Sequence, residues 1–367
     1  MPVIKDLLGQ FTEQLPVYDS TGTRVAQGDF TKLVPLLDGI ARIVSEGEFK
    51  NELLGSGQTQ AGLTYGLRIA HASNYVGVRN STCCPAVILT FAGPYFSISG
   101  AALVDVFVHQ SFTDFIYLGG NPHQDMQLIR VAKILKAVAD ALDGLETYYN
   151  SVVPSANPIA SRLMPQPVPR EPLTSHLVFS ARFRYKGGRP NSRRSLFRGT
   201  LDDKPVLIKF CETYSPIAHR LLAKHDPPLA PQLHFFSEVQ DGLKMVVMDF
   251  VEGQDAHYQF ANMHLPPSVR ADIEKAKNVL HDDGWVFGDL RRPNIMVIPK
   301  RHESGEGVFG AMLVDFDWVG KAGEARYPLV LNNSGDIHWA DGVEPGSIME
   351  TVHDDAMFAR LDFPATL

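Results

Sequence analysis

Cysteine is scarce in this chain: three in 367 residues, Cys83, Cys84 and Cys211, with no Cys-x-x-Cys pair. That excludes a disulfide scaffold and a thiolate zinc site. Adjacent side chains diverge, so Cys83 and Cys84 are not expected to bridge each other. A reducing compartment, cytoplasm or nucleus, is the expected setting. A basic excess is also missing. The 34 Lys and Arg stand against 41 Asp and Glu, a net charge of −7. This excludes a polybasic clamp that grips nucleic acid through its phosphates, while a local basic groove stays open. The opening MPVIKDLLGQFTEQLP has no basic region followed by a long apolar run, so no secretory signal is expected. Only residues 85–104, PAVILTFAGPYFSISGAALV, carry no charge over a length that could span a bilayer. Gly93-Pro94 breaks that run, and Ser97 and Ser99 alternate with Phe96 and Ile98. It reads as two buried strands joined by a turn, with no membrane partner.

What is present is enough apolar material for sizeable cores: 44% hydrophobic residues against 20% charged. The length suits two domains. Residues 151–175 hold six prolines (154, 158, 165, 167, 169 and 172). Proline fixes φ and removes a donor, so this stretch reads as a linker. It divides the chain into 1–150, a linker at 151–175, and 176–367. Charge divides evenly, with 11 basic and 14 acidic residues in 1–165 (net −3) and net −4 in the remainder. No internal repeat is visible.

The first half reads strand-rich, with strands at 33–37, 41–53, 85–92 and 95–108. One clear helix follows at 127–146, where Leu128, Val131, Leu135, Val138, Leu142 and Leu145 form one apolar stripe. The second half reads as strands at 176–185, 194–201 and 204–210, then a helix at 215–225. Strands at 232–239 and 243–249 follow, then a helix at about 268–282. The fold class expected is α+β, with several antiparallel strands and helices in a two-lobed second half.

Two acidic segments carry the chemistry of the second half. In Trp285-Val-Phe-Gly-Asp289-Leu-Arg-Arg-Pro-Asn294-Ile-Met-Val, an Asp and an Asn stand five apart before an apolar strand. Twenty-one residues after Asn294, Leu313-Val-Asp315-Phe-Asp317-Trp ends another apolar strand in acids. Phosphoryl transfer needs a carboxylate to hold the attacking hydroxyl and oxygen ligands to hold Mg²⁺ on the phosphates. Val206-Leu-Ile-Lys209-Phe places a lysine inside an apolar strand, where an anionic partner is required. Met245-Val-Val-Met-Asp249-Phe-Val251-Glu-Gly253 reads as a strand running into a hinge whose backbone can meet an adenine ring. His281-Asp282-Asp283 reads as a polar helix end.

Together Lys209, Asp289-x-x-x-x-Asn294 and Asp315-Phe-Asp317 resemble the protein-kinase-like fold in order and spacing. The wording VxGDLRxPNIxV…LVDFDWVGK…RYP is similar to a fungal kinase-like group also found attached to Crinkler-type modules. The resemblance covers about residues 176–330. It implies that Lys209 lies on the phosphates of ATP, that Asp289 is the catalytic base, and that Asn294 and Asp315 hold Mg²⁺. The hinge residues Asp249 and Val251 would border the nucleotide, and a protein Ser/Thr hydroxyl would be the acceptor. The departures are specific. Phe287-Gly288 replaces the His-Arg before the Asp, and Asp317 replaces the glycine after Asp315-Phe316. No G-x-G-x-x-G is present, Gly187-Gly188 lying instead in a basic stretch, Arg182 to Arg198. The helix after Lys209 offers His219 where a glutamate is expected. No A-P-E follows, and 50 residues remain after Asp317. An inactive pseudokinase that serves as an interaction protein is the alternative these departures raise.

In the first half, Asp38 is followed by Glu48-Phe-Lys50 on an expected strand. Residues i and i+2 of a strand share a face, so Glu48 and Lys50 project together. This resembles the PD-(D/E)XK nuclease-like (restriction-endonuclease-like α/β) fold. The resemblance makes Asp38 and Glu48 metal ligands and Lys50 the catalytic lysine, with nucleic acid as a partner. Gln60 and Tyr65 resemble the helix glutamine and tyrosine of some members, and Leu37 stands where the motif has proline. Mg²⁺-dependent cleavage is thus the second functional expectation.

Overall fold

The computed structural model describes residues 8–35, 41–53, 57–104, 106–120, 122–183, 195–239, 242–300, 308–332 and 337–362. The chain divides into two compact units, Met1–Leu163 and Met164–Leu367.

The first unit opens with short strands β1 (Thr12–Glu13), β2 (Pro16–Tyr18), β3 (Arg24–Gln27) and β4 (Phe30–Val34), then the long β5 (Arg42–Lys50). Helices α1 (Gly57–His71) and α2 (Val76–Ser81) come next. Strands β6 (Ala86–Ala92), β7 (Tyr95–Leu103), β8 (Phe107–Ser111) and β9 (Ile116–Tyr117) precede helix α3 (Gln124–Ser151). The main sheet runs β1-β4-β5-β6-β7-β8, with β9 added on β7. Its pairs are antiparallel except β5–β6, which is parallel. A parallel pair needs a crossover, and α1 and α2 supply it.

The uncharged run folds as expected for two strands. Gly93 takes φ +56° in a two-residue turn between β6 and β7. No described helix is long and apolar enough to cross a membrane. The strand expected at 33–37 lies instead at 30–34, and residues 36–40 are outside the described set. The stripe on α3 is buried at Val138 and Leu142 but opens to solvent at Leu128. Helix α1 was not read from the sequence pattern, where only the resemblance of Gln60 and Tyr65 to helix residues hinted at it. Three of its fifteen residues are glycine, which weakens helix propensity. A Cβ at Gly62 would lie 2.7 Å from the His109 ring, so the helix needs glycine to approach β8.

Residues 153–159 are pinned to α2. Asn80 donates from Nδ2 to the carbonyls of Ser155 (3.1 Å) and Ala156 (2.9 Å), and Ser81 Oγ donates to the Val153 carbonyl (2.7 Å). The proline-rich stretch is therefore anchored along this part.

The second unit begins with β10 (Leu177–Arg182), β11 (Ser195–Leu201) and β12 (Lys204–Cys211), then helix α4 (Pro216–Ala223), β13 (Leu233–Glu238) and β14 (Lys244–Asp249). These strands form one antiparallel sheet in the order β10-β11-β12-β14-β13. Alternation along β14 sends Met245 and Val247 to one apolar cluster and Val246 and Met248 to another. A second, mainly helical part follows: β15 (Gln254–Asp255), α5 (Ala256–Gln259), α6 (Pro267–Asp282), β16 (Trp285–Val286), β17 (Ile295–Lys300), β18 (Val308–Leu313), β19 (Gly320–Lys321) and α7 (Thr351–Arg360). Helix α6 starts at a proline in its first turn and is followed by Gly284 at φ +72°. Its buried face, Val269, Ile273, Ala276 and Leu280, belongs to the largest core, together with Phe287, Leu313 and Phe316.

Candidate active site

Strand β12 sets the lysine. Val206 and Ile208 point into the sheet core, so Leu207 and Lys209 face the other way. The loop between β16 and β17 sets Asp289 and Asn294, and it is clamped from two sides. Asp354 of α7 accepts hydrogen bonds from the backbone N–H of Phe287 (2.6 Å) and of Gly288 (2.9 Å). Arg292 donates to the carbonyls of Leu361 (2.7 Å), Phe260 (2.8 Å) and Met263 (3.1 Å). Gly288 has φ +80°, and a Cβ there would sit 2.2 Å from Met349 Cε. Phe287 therefore fills the core and Gly288 makes the turn.

Asn294 donates from Nδ2 to the Asp289 carbonyl (2.9 Å) and to Asp289 Oδ2 (2.8 Å). Its own Oδ1 is buried without a hydrogen-bond partner. Arg291 forks onto the Asp289 carboxylate, through Nη2 to Oδ2 (2.7 Å) and through Nε to Oδ1. Burial nevertheless raises the Asp289 carboxyl above its ordinary range, against the pull of Arg291. The Arg291 guanidinium also lies over the Trp339 ring, 5.3 Å from its centroid, and Trp339 stacks on Trp318 at 5.6 Å.

After β18 the chain turns at Asp315, whose φ is +73°. Phe316 goes into the core with no exposed surface. Asp315 and Asp317 both bond Lys209 Nζ, the Asp317 Oδ1 contact at 2.6 Å. Burial pulls the ammonium pKa down, but the two carboxylates outweigh it and the net shift is upward. Asp317 is raised to about 7 by burial and by the neighbouring Asp315 carboxylate, against the attraction of Lys209. Where a helix glutamate was sought, His219 is fully buried. Its Nε2 meets the Pro231 carbonyl at 2.8 Å, and its ring stacks on Phe316 at 4.4 Å. A carbonyl only accepts, so Nε2 carries the proton and Nδ1 accepts from the Tyr214 hydroxyl at 2.7 Å.

Lys209, Asp289, Asn294, Asp315 and Asp317 line one cavity of about 540 Å³, with Leu207, Met248, Val314 and Trp318 as its apolar wall. Asp249 and Val251 do not line it. They border another cavity, of about 580 Å³, with Pro205, Pro231, Ile298 and Met312, and Asp249 pairs with His234 at 2.6 Å. Gly187-Gly188 and the arginines at 189, 193 and 194 lie outside the described residues. Arg198 covers Phe250 at 4.3 Å.

No protein-family model matches the chain, and no curated protein matches it. Among solved structures it is similar to the Cydia pomonella granulovirus kinase PK-1, with TM-score 0.38 and 14% identity over 51% of this chain and 67% of that one. It is also similar to vaccinia related kinase 3, with TM-score 0.38 and 14% identity over 52% of this chain and 64% of that one.

Sequence reading missed Arg291, Arg292 and Asp354. The two arginines stand inside the motif that flagged Asp289, so their spacing was a usable signal. Asp354 lies 65 residues beyond Asp289 and carried no local signature. His281-Asp282-Asp283 is a helix end as expected: His281 Nε2 bonds Asp354 Oδ2 at 3.1 Å, and Asp283 accepts from Trp285 Nε1 at 2.7 Å.

In the first unit, Glu48 and Lys50 do share a face of β5, with Lys50 Nζ donating to Glu48 Oε1 at 2.8 Å. Glu48 is buried and its Oε2 has no hydrogen-bond partner. Burial raises its carboxyl above the ordinary range. The register sets Thr90 of β6 beside Glu48 and Ser97 of β7 beside Thr90, and both hydroxyls are likewise buried without partners. Asp38 and Leu37 lie outside the described residues. Tyr65 is a core residue whose hydroxyl donates to the Cys84 carbonyl at 2.6 Å. It is Gln58, rather than Gln60, that reaches the sheet hydroxyls, donating to Ser99 (2.8 Å) and Ser111 (2.7 Å). Glu46 is taken by Arg68 at 2.9 Å. Among the described residues no three His, Cys, Asp or Glu side chains are grouped to hold a metal ion.

Proposed function

We propose that the second unit is an ATP-dependent phosphotransferase of the protein-kinase type, with a protein Ser or Thr hydroxyl as acceptor. The observation that carries this reading is the meeting of Lys209, Asp289, Asn294 and Asp315 around one 540 Å³ cavity. Lys209 would bind the nucleotide phosphates. Asp289, held in place by Asn294 and Arg291, would orient the acceptor hydroxyl and take its proton. Burial keeps that carboxyl more basic than a surface aspartate, which suits the task.

The residues fit a magnesium ion. Asn294 Oδ1 is a buried acceptor without a hydrogen-bond partner, on a residue that lines the same cavity as Asp289 and Asp315. Mg²⁺ typically takes one or two protein oxygens and completes its shell with water and phosphate, so a closed acidic cage is not needed. Asn294 and Asp315 would hold it. Bound Mg·ATP would supply the phosphoryl group and neutralise charge on its oxygens. The likeness of the motif wording to a fungal kinase-like group supports this reading.

Thermal unfolding with ATP and Mg²⁺ tests the reading. A ligand at 100 times its Kd stabilises by about 2.7 kcal/mol. The wild type should shift upward, and Lys209→Ala and Asp315→Ala should not. Asp289→Asn should keep the shift and lose transfer from labelled ATP. Equal nucleotide affinity in wild type and Asp315→Ala would overturn the site. No shift at millimolar nucleotide would favour an inactive interaction protein.

A second reading concerns the first unit, a Mg²⁺-dependent nuclease using Asp38, Glu48 and Lys50. The observation favouring it is the buried, unpartnered Glu48 Oε2 beside Lys50. Cleavage of DNA or RNA that persists in Glu48→Ala removes it.

A further inference from the structure

We propose that Asp317 is the positioning residue for Lys209, doing from the strand-turn what a helix carboxylate would otherwise do. The inference rests on the phosphotransferase reading of the same cavity.

Helix α4 has the sequence PIAHRLLA and carries no acid. Its inward turn is closed by His219, which is committed to Tyr214, Pro231 and Phe316. No carboxylate of α4 is available to Lys209. The lysine is nevertheless doubly paired, to Asp315 and to Asp317 Oδ1 at 2.6 Å, with 12% of its side chain exposed.

The backbone explains how one ammonium reaches both acids. Asp315 sits at φ +73°, a left-handed conformation that a non-glycine residue adopts at a steric cost. That turn buries Phe316 and leaves the aspartates before and after it on the same side. Ser215 N–H, at the start of α4, donates to the Phe316 carbonyl at 3.1 Å and ties the turn down.

Two carboxylates on one lysine allow a division of labour. Asp315 would be shared between Lys209 and a cation held with Asn294. Asp317, which the cation does not need, would keep the ammonium paired, so the lysine would stay aimed with the cation site filled. With glycine at this position, Asp315 alone would serve both. The counter-charge lies on the same short turn as the cation ligand, so no helix movement is needed to assemble the pair.

The test measures nucleotide affinity by thermal shift across a Mg²⁺ titration in wild type, Lys209→Ala, Asp317→Asn, Asp317→Gly and Asp317→Glu. Wild type should show a Mg²⁺-dependent shift that Lys209→Ala lacks. Asp317→Asn and Asp317→Gly should weaken Mg·ATP binding about tenfold and raise the Mg²⁺ concentration needed for half-maximal binding. Asp317→Glu should restore much of both. A structural role alone would change the unfolding temperature of the free protein without moving the Mg²⁺ requirement. If wild type and Asp317→Asn share one affinity and one Mg²⁺ dependence, the positioning role is wrong and the phosphotransferase reading stands. If wild type shows no nucleotide shift at all, both readings fall.

Discussion

His219 offers a sharp test of how the second unit is held together, because its chemistry is separable from everything around it. The ring is fully buried between Tyr214, Pro231 and Phe316. Burial lowers its pKa from 6.5 to about 4, with the positive charges of Arg220 and Lys209 adding to the effect. The unfolded chain therefore takes up this proton at a higher pH than the folded one. Stability from the neutral ring is fully present above pH 6.5 and is lost as pH falls towards 4. From those two values the loss between pH 7 and pH 5 is about 2 kcal/mol. Asp317 acts with the opposite sign. Its folded pKa lies above the unfolded value, so its protonation on acidification favours the folded state. The comparison must therefore be between wild type and His219→Gln, which shares Asp317 but cannot titrate at 219. All three tryptophans, Trp285, Trp318 and Trp339, lie in this unit, so urea unfolding followed by tryptophan fluorescence reports it directly. At pH 7 wild type should be the more stable, and its advantage should shrink by about 2 kcal/mol at pH 5. Parallel curves for the two proteins would refute the assignment of a buried neutral imidazole.

Asp354→Ala should cost about 3 kcal/mol in the same urea assay, because two buried backbone N–H groups lose their acceptor; a loss under about 1 kcal/mol would mean water replaces it. Gly288→Ala should be destabilising through both its φ of +80° and the 2.2 Å approach to Met349, and Gly288→Ala with Met349→Ala should recover only the steric share. In the first unit, Arg68→Ala should cost about 3–5 kcal/mol by stranding buried Glu46, read as faster amide exchange in α1 and β5. Arg68→Ala with Glu46→Gln should recover part of it, and an additive double mutant would contradict the pairing.

Strong alternation and punctuation were legible in the sequence. The Gly93-Pro94 hairpin, the lysine-bearing β12 and the proline-led α6 each follow from short-range rules. Helix α1 did not, because Gly62 answers to the His109 ring across the sheet and not to helix propensity. The start of strand β4 was misplaced because Phe30 and Thr31, which open it, are buried by cross-sheet contacts that a local reading of the sequence does not show. At the candidate site, the loop carrying Asp289 and Asn294 was visible as a motif. Its supports were not: Asp354 and the carbonyls that hold Arg292 come from chain 29 to 69 residues away. The missing helix glutamate was noted from sequence, but the pairing of Asp317 with Lys209 needed the left-handed turn at Asp315.

The pinning of residues 153–159 onto α2 has a practical consequence for dissecting the protein. Cutting after residue 150, where the prolines begin to thicken, would strip Asn80 and Ser81 of their carbonyl acceptors and unroof Gly77. On the other side, Arg170 N–H donates to the Glu238 carbonyl at 2.7 Å and Glu171 N–H to Ser237 Oγ at 2.9 Å, so a fragment starting at 176 would leave the edge strand β13 bare there. Fragments 1–163 and 164–367 each keep their own hem, and limited proteolysis of the whole chain should leave ends nearer to that junction than to either border of the proline-rich stretch.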